Sequence, residues 1–173
     1  LKHFSVSVGG QYTETWTGKT IKYKDFNEGI GAVKDTIGGF DRFGVYNYNA
    51  SITTKVYGII NFKPKNKVQS IRHTITPSIS YSNNPSFEEY YDTYIIDANG
   101  NTAEYTRFQG GLYNAPGRNY SSSIGLNIKN VLEAKVKPKD STETELKKIN
   151  IFKNLNISTS YNLAAEEFNL SPV

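Results

Sequence analysis

Apolar and polar residues alternate over long stretches of this chain. Between Ile71 and Ser82 one parity holds Ile71, His73, Ile75, Pro77, Ile79 and Tyr81, and the other holds Arg72, Thr74, Thr76, Ser78, Ser80 and Ser82. A period of two with one apolar row predicts a β-strand. The pattern recurs along the chain. In Phe4–Trp16 the row Phe4, Val6, Val8, Tyr12 and Trp16 opposes Ser5, Ser7, Gln11, Thr13 and Thr15. Gly44–Ile60 sets Tyr46, Tyr48, Ile52, Val56 and Ile60 against Asn47, Asn49, Ser51, Thr53, Lys55 and Tyr57. Tyr120–Val136 sets Tyr120, Ile124, Leu126, Ile128, Leu132 and Val136 against Ser121, Ser123, Asn127, Lys129, Glu133 and Lys135. Ile149–Leu163 sets Ile149, Ile151, Leu155, Ile157, Tyr161 and Leu163 against Asn150, Asn154, Asn156, Ser158 and Ser160. Each stretch is longer than the about five or six residues of an ordinary globular strand.

Connections between these strands alternate in length. "NFKPKN" (61–67) is tight and 137–147 is modest, whereas 18–42 and 83–119 are long. The second long one holds its own hairpin, "TYIIDANGNTAEYTRF", in which Asn99-Gly100 is the pair a type I′ turn demands. Long strands joined alternately by short and long connections match an outer-membrane barrel, with short turns on the periplasmic side and long loops outside. The tyrosines agree. Trp16, Tyr46, Tyr48, Tyr81, Tyr120 and Tyr161 sit on the apolar rows beside the long connections, as in an aromatic girdle at one membrane interface. Alternation by itself also fits a soluble β-sandwich or solenoid, where one face meets a core. A charge on the lipid row counts against the barrel, since a lysine at the midplane costs roughly 2–4 kcal/mol. Glu14 escapes this beside Trp16 at an interface, but Lys153 falls near the centre of its strand.

Composition narrows the classes. The chain has 173 residues with no Cys and no Met, against 13 Tyr, 9 Phe and 14 Gly. That excludes a disulfide framework, a thiolate nucleophile and a cysteine zinc site. A net charge of +4 is carried by scattered lysines, not the clustered basic stripe of a nucleic-acid binder. No run of about eighteen apolar residues exists to make a transmembrane helix. A mean hydropathy of −0.53 suits a soluble protein or a barrel, whose strands place only every second residue in lipid. With no leader and no initiating Met, the sequence reads as a mature product or a piece of a longer chain.

"YNYNASITTKVYGIINF" followed by "IRHTITPSISYSNNPSF", with Arg72, His73 and Pro77 as its most recognisable element, resembles the barrel of the LptD family, most closely its Bacteroidetes-type members. The terminal "LNISTSYNLAAEEFNLSPV" is similar to that group as well, so the likeness runs from about Tyr12 to Val173. The resemblance implies an all-β, antiparallel transmembrane β-barrel. This chain supplies about five long strands of a larger one, since five cannot close even an eight-stranded barrel. It further implies residence in the outer membrane of a Gram-negative cell and a non-enzymatic translocon that inserts lipopolysaccharide or lipooligosaccharide into the outer leaflet. Implied partners are the periplasmic Lpt bridge, an LptE-like plug lipoprotein and membrane lipid. No cofactor is implied. The family's N-terminal periplasmic domain is not in this sequence, and neither are the cysteines on which maturation of proteobacterial members depends. The alternatives are a passive porin or TonB-type receptor segment and a soluble β-sandwich binding module.

No catalytic or metal constellation stands out. His3 and His73 are far apart, and the latter reads as an interfacial residue near a periplasmic strand end. Glu88-Glu89 and Glu166-Glu167 fall in expected loops, and Gly110-Gly111 reads as a turn rather than a phosphate cradle. The lumen-facing candidates for a substrate path are Asn47, Asn49, Arg72, Asn127, Lys129 and Asn156, whose donors and charge suit sugars and phosphates. Arg72 leads, because a guanidinium grips a phosphate through two hydrogen bonds; a lumenal ion pair is its other reading. Pro77 cannot donate to a ladder, so it marks either a bulge or a soft place where a barrel wall deforms.

Overall fold

The computed structural model describes residues 3–138 and 145–172; positions 139–144 of the expected 137–147 turn lie outside the described residues. Eight strands follow in chain order: β1 (Phe4–Asn27), β2 (Gly31–Thr54), β3 (Val56–Asn61), β4 (Val68–Asn84), β5 (Tyr91–Ile95), β6 (Thr102–Thr106), β7 (Ser121–Val136) and β8 (Lys147–Asn162). A single 3-10 turn, Glu88–Tyr90, precedes β5. The main sheet runs β1-β2-β4-β7-β8, with β3 also on β4, and β5–β6 form a separate hairpin. The ladders are antiparallel. The chain is all-β, and its sheet stays open between β1 and β8, as a segment of a barrel must.

The strands divide between two compact units. The first comprises Leu1–Gly9, Asn49–Ser82 and Ser122–Val173. Its alternating rows behave as the pattern predicts: Val56, Gly58 and Ile60 oppose Ile75, His73 and Ile71, and Leu126 and Ile128 oppose Thr159 and Ile157. These apolar rows are uncovered, with Val8 78% and Val56 56% exposed. Ala134 is the one buried apolar side chain of this unit among the described residues. A sheet with no core beneath its apolar face needs another apolar phase there, as the lipid-facing wall of a membrane barrel has.

β3 begins after a break at Lys55. Continuing its register with β4 by one step sets Lys55 against Thr76, beside Pro77. Pro77 therefore sits one residue from a place where the neighbouring strand is interrupted, the kind of irregularity at which a sheet tolerates proline. The 61–67 turn is as tight as expected. Asn66 N donates to Lys63 O at 2.9 Å, with Pro64 at the second position, where its fixed φ suits a β-turn.

Two register shifts separate the halves of the β7–β8 ladder, between Asn130 and Leu132 and between Leu132 and Glu133. Leu155 pairs Asn130, Phe152 pairs Leu132 and Ile149 pairs Ala134. Strict parity is suspended from 155 to 149, so Lys153 does not inherit the lipid-facing row of Leu155. Asn130 explains how the irregularity is satisfied. Its Nδ2 donates to Leu155 O (3.4 Å) and Ile128 O (3.3 Å), leaving Oδ1 as acceptor for His73 Nε2 at 3.1 Å. His73 also meets the Phe152 ring edge-on. Beyond β8 the chain turns back at Phe168 (φ 54°). Asn162 N donates to Asn169 O and Ser171 N to Ser160 O, with a bridge between Tyr161 and Leu170.

The second unit comprises Gly10–Tyr48 and Asn83–Ser121. Here the expected long loop 18–42 is corrected. β1 and β2 are 24 residues each and run through it, leaving only 28–30 as a turn, with Ile30 N bonded to Asn27 O. About 9–11 residues suffice for a strand to cross a membrane, so each of these strands is longer than a crossing needs. Trp16, Tyr46 and Tyr48 are consequently interior to their strands, whereas Tyr81, Tyr120 and Tyr161 lie near strand ends as expected. Five of the six buried apolar side chains of the described residues lie in this unit: Ile21, Phe43, Phe87, Tyr105 and Phe108. Phe43 packs against Phe108 (4.7 Å between centroids) and Tyr90 (6.0 Å), and Tyr23 stacks on Tyr94. The long connection 83–119 is thus a folded module seated on its own hairpin.

The module's polar contacts are specific. Arg107 Nε donates to Asp41 at 2.7 Å and its guanidinium lies over the Phe108 and Tyr90 rings. That bond holds the Asp41 carboxyl below its ordinary value. Tyr90 Oη accepts from Gly44 N and donates to Gly44 O, while the Tyr12 ring covers Gly44 so closely that a Cβ would come within 2.6 Å of its hydroxyl. The β5–β6 turn is not type I′, because Asn99 has an ordinary φ. Gly100 alone is left-handed (φ 80°), with Gly100 N bonded to Asp97 O and Asp97 Oδ1 accepting from Asn99 N and Asn101 N. Asp97 pre-orders the turn as an Asx cap, so the left-handed pair is not needed. The bond from the Asn101 side chain, helped by these backbone donors, keeps its carboxyl below the ordinary range.

Candidate functional site on the polar face

Alternation puts Asn127 and Lys129 of β7 on one row, and the ladder places Ser158 and Asn156 of β8 directly opposite them. β4 supplies the third strand, with Ser78 Oγ reaching Asn127 O at 3.5 Å and Ser82 Oγ 3.0 Å from Ser123 Oγ. Three expected path residues, Asn127, Lys129 and Asn156, therefore form one polar strip. Asn49 lies on the same kind of row in β2, its Oδ1 3.0 Å from where a Cβ on Gly9 would stand. Glycine at position 9 makes the room. Asn47 belongs to the second unit, where it lines a cavity of about 440 Å³ with Gln11, Thr13 and Thr15.

Arg72 stands in the richer setting. Its guanidinium lies 5.0 Å from the centre of the Tyr57 ring, a cation–π contact from the same polar row. It shares a groove of about 390 Å³ with Ser70, Asn61, Glu133, Lys135 and Lys148. Lys135 faces Lys148 across the ladder, and Lys148 Nζ pairs with Glu133 at 2.5 Å. Three cations against one carboxylate leave the groove with a surplus of two positive charges. Ile59 adds an apolar wall. The arrangement can hold a phosphate or carboxylate while the Tyr57 face and Ile59 meet less polar parts of the same molecule.

Sequence reasoning placed Tyr57, Glu133 and Lys135 on polar rows without joining them to Arg72. The juxtaposition depends on how β4 lies against β7 and β7 against β8, and no local pattern encodes that. Among the described residues no group of His, Asp or Glu is arranged to hold a metal. No helix among the described residues is long and apolar enough to cross a membrane, which says nothing of strands.

A family model described as LptD protein matches residues 1–173. No curated protein and no solved structure matches the chain. The chain belongs to the LptD family, outer-membrane proteins of lipopolysaccharide transport and assembly and not a family of enzymes.

Proposed function

We propose that this segment forms part of the wall of an outer-membrane translocon that delivers lipopolysaccharide or lipooligosaccharide to the outer leaflet, its apolar rows in lipid and its polar rows along the path. The carrying observation is the groove around Arg72, which combines surplus positive charge with a ring face and lies on the row opposite the lipid-facing one. A phosphorylated glycolipid needs both. Asn49, Asn127, Lys129 and Asn156 extend the same chemistry along the wall, and Asn47 does so in the second unit. Substrate arrives from a periplasmic bridge on the side of the 61–67 turn, and the Asn99–Asn101 turn lies outside. An LptE-like lipoprotein seated against the polar rows completes the reading. Pro77, set beside the break at Lys55, is an accommodated irregularity of the wall in this reading, not its hinge.

Photo-crosslinkers placed at Arg72 and Asn49 of the full-length protein in living cells test the proposal. Capture of lipopolysaccharide at both, together with its loss from the cell surface on depletion, supports it. Normal surface lipopolysaccharide after depletion sinks it and leaves a passive pore as the better reading.

A further inference from the structure

We infer that the second unit carries a binding site for an anionic saccharide, a sugar chain bearing phosphate or carboxylate, in the cleft between the β1–β2 hairpin and the Gln109–Leu112 turn. The cleft measures about 710 Å³, within the range of small-ligand sites. Its polar lining comprises Lys19, Lys34, Thr17, Thr20, Thr36 and Gln109. No carboxylate lines it. Neither lysine has an acidic partner among the described residues, whereas Lys24, Arg107 and Arg118 of the same unit each do. Two ammonium groups without acidic partners therefore give the cleft a net positive charge, which a bound anion would offset.

The remaining lining selects among anions. The Thr17 hydroxyl is taken up by Lys19 N and Lys19 O, but the Thr20 and Thr36 hydroxyls and the Gln109 carboxamide can both donate and accept, as a ligand rich in hydroxyls requires. No aromatic ring lines the cleft, so a nucleotide base has nothing to stack on. Ile21 and Leu112 are its only sizeable apolar side chains, too few to bury an acyl chain. Gly110, at φ 77°, bends the backbone of the turn at the cleft wall, a conformation that a side chain there would strain. This site differs in place and ligand contacts from the groove around Arg72, and it rests on the outer-membrane reading only for the side on which it opens.

The test uses the full-length protein in detergent with maltose 1-phosphate as probe, read by saturation-transfer NMR and calorimetry. Binding should weaken at least tenfold in the Lys19→Ala/Lys34→Ala double variant and fall with added salt, while Lys153→Ala leaves it unchanged. A Lys19→Gln/Lys34→Gln pair with unaltered protease resistance guards against misfolding and should lose binding equally. Equal affinity in the double variants overturns the inference. So does equal binding of neutral maltose, and displacement by inorganic phosphate at matched concentration means an anion site without saccharide selectivity. A photo-crosslinker at Gln109 in proteoliposomes separates the sources. Capture of a glycolipid assigns the ligand to the surrounding leaflet, capture of added phosphosugar alone assigns it to solution, and capture of neither overturns the site. Surface delivery of lipopolysaccharide is a separate readout, so either proposal can fail alone.

Discussion

Replacing Phe43 by alanine should open the 83–121 module while leaving the membrane sheet intact. Phe43 is 5% exposed and its ring meets those of Phe108 and Tyr90. Truncating a buried Phe costs about 3–5 kcal/mol, and we take about 3 because both neighbouring rings can collapse toward the void. At about 1.4 kcal/mol per decade, the open population of the module rises roughly a hundredfold. When opening is fast relative to cleavage, proteolysis tracks that population. Limited proteolysis of the full-length protein in detergent should therefore cut within 83–121 about a hundred times faster in the variant. Tyr46→Ala, at a position 49% exposed, should change the rate far less. A rise of under about tenfold for Phe43→Ala, or unfolding of the whole barrel with it, would show that the module does not have its own core.

Three further outcomes follow from the same geometry. Leu126→Arg should cost about 2–4 kcal/mol of folding in lipid vesicles and Asn127→Arg close to nothing, because the neighbours face opposite phases; equal costs in urea titration contradict the facing. The Asp41 carboxyl is held low mainly by its bond from Arg107, so the pair's stabilisation is present above the ordinary value of 3.8 and disappears as the pH falls through the lowered folded value; module protection from proteolysis should drop there, and Asp41→Asn should flatten that dependence. An epitope inserted at Asn99–Asn101 should be stained on intact cells, and staining only after permeabilisation reverses the assigned sidedness.

Strand existence and facing were legible because a single uncovered face imposes a period of two, and a slip would invert a whole strand. The Ile71–Ser82 and Tyr120–Val136 rows sit within a few residues of β4 and β7. The hairpin inside 18–42 was missed for a physical reason. Thr20, Lys22, Lys34 and Thr36 interrupt the apolar alternation there, although the backbone ladder continues. Lys153 looked out of place because parity was carried through a stretch that two register shifts interrupt. The one local clue was Asn130, a polar residue on an apolar row. The Arg72 groove was half legible, since its polar members lay on polar rows, but its assembly needed four strands, β3, β4, β7 and β8, in register.

The two packing solutions in this chain discriminate between a sandwich and a barrel. A soluble sandwich buries the apolar rows of its strands under a second sheet. Among the described residues the only other sheet is the small β5–β6 hairpin, whose contacts run to Tyr23 and Asp25 in the second unit, and the rows bearing Val8, Ile52, Leu126 and Ile157 stay bare. Adding further strands at the β1 and β8 edges would close the polar side into a lumen but would never cover those rows, because new strands lengthen the sheet sideways. An outer-membrane barrel removes the cost of such exposure by facing these rows to lipid. The second unit follows the ordinary rule instead and builds a core from Phe43, Phe87, Tyr105 and Phe108.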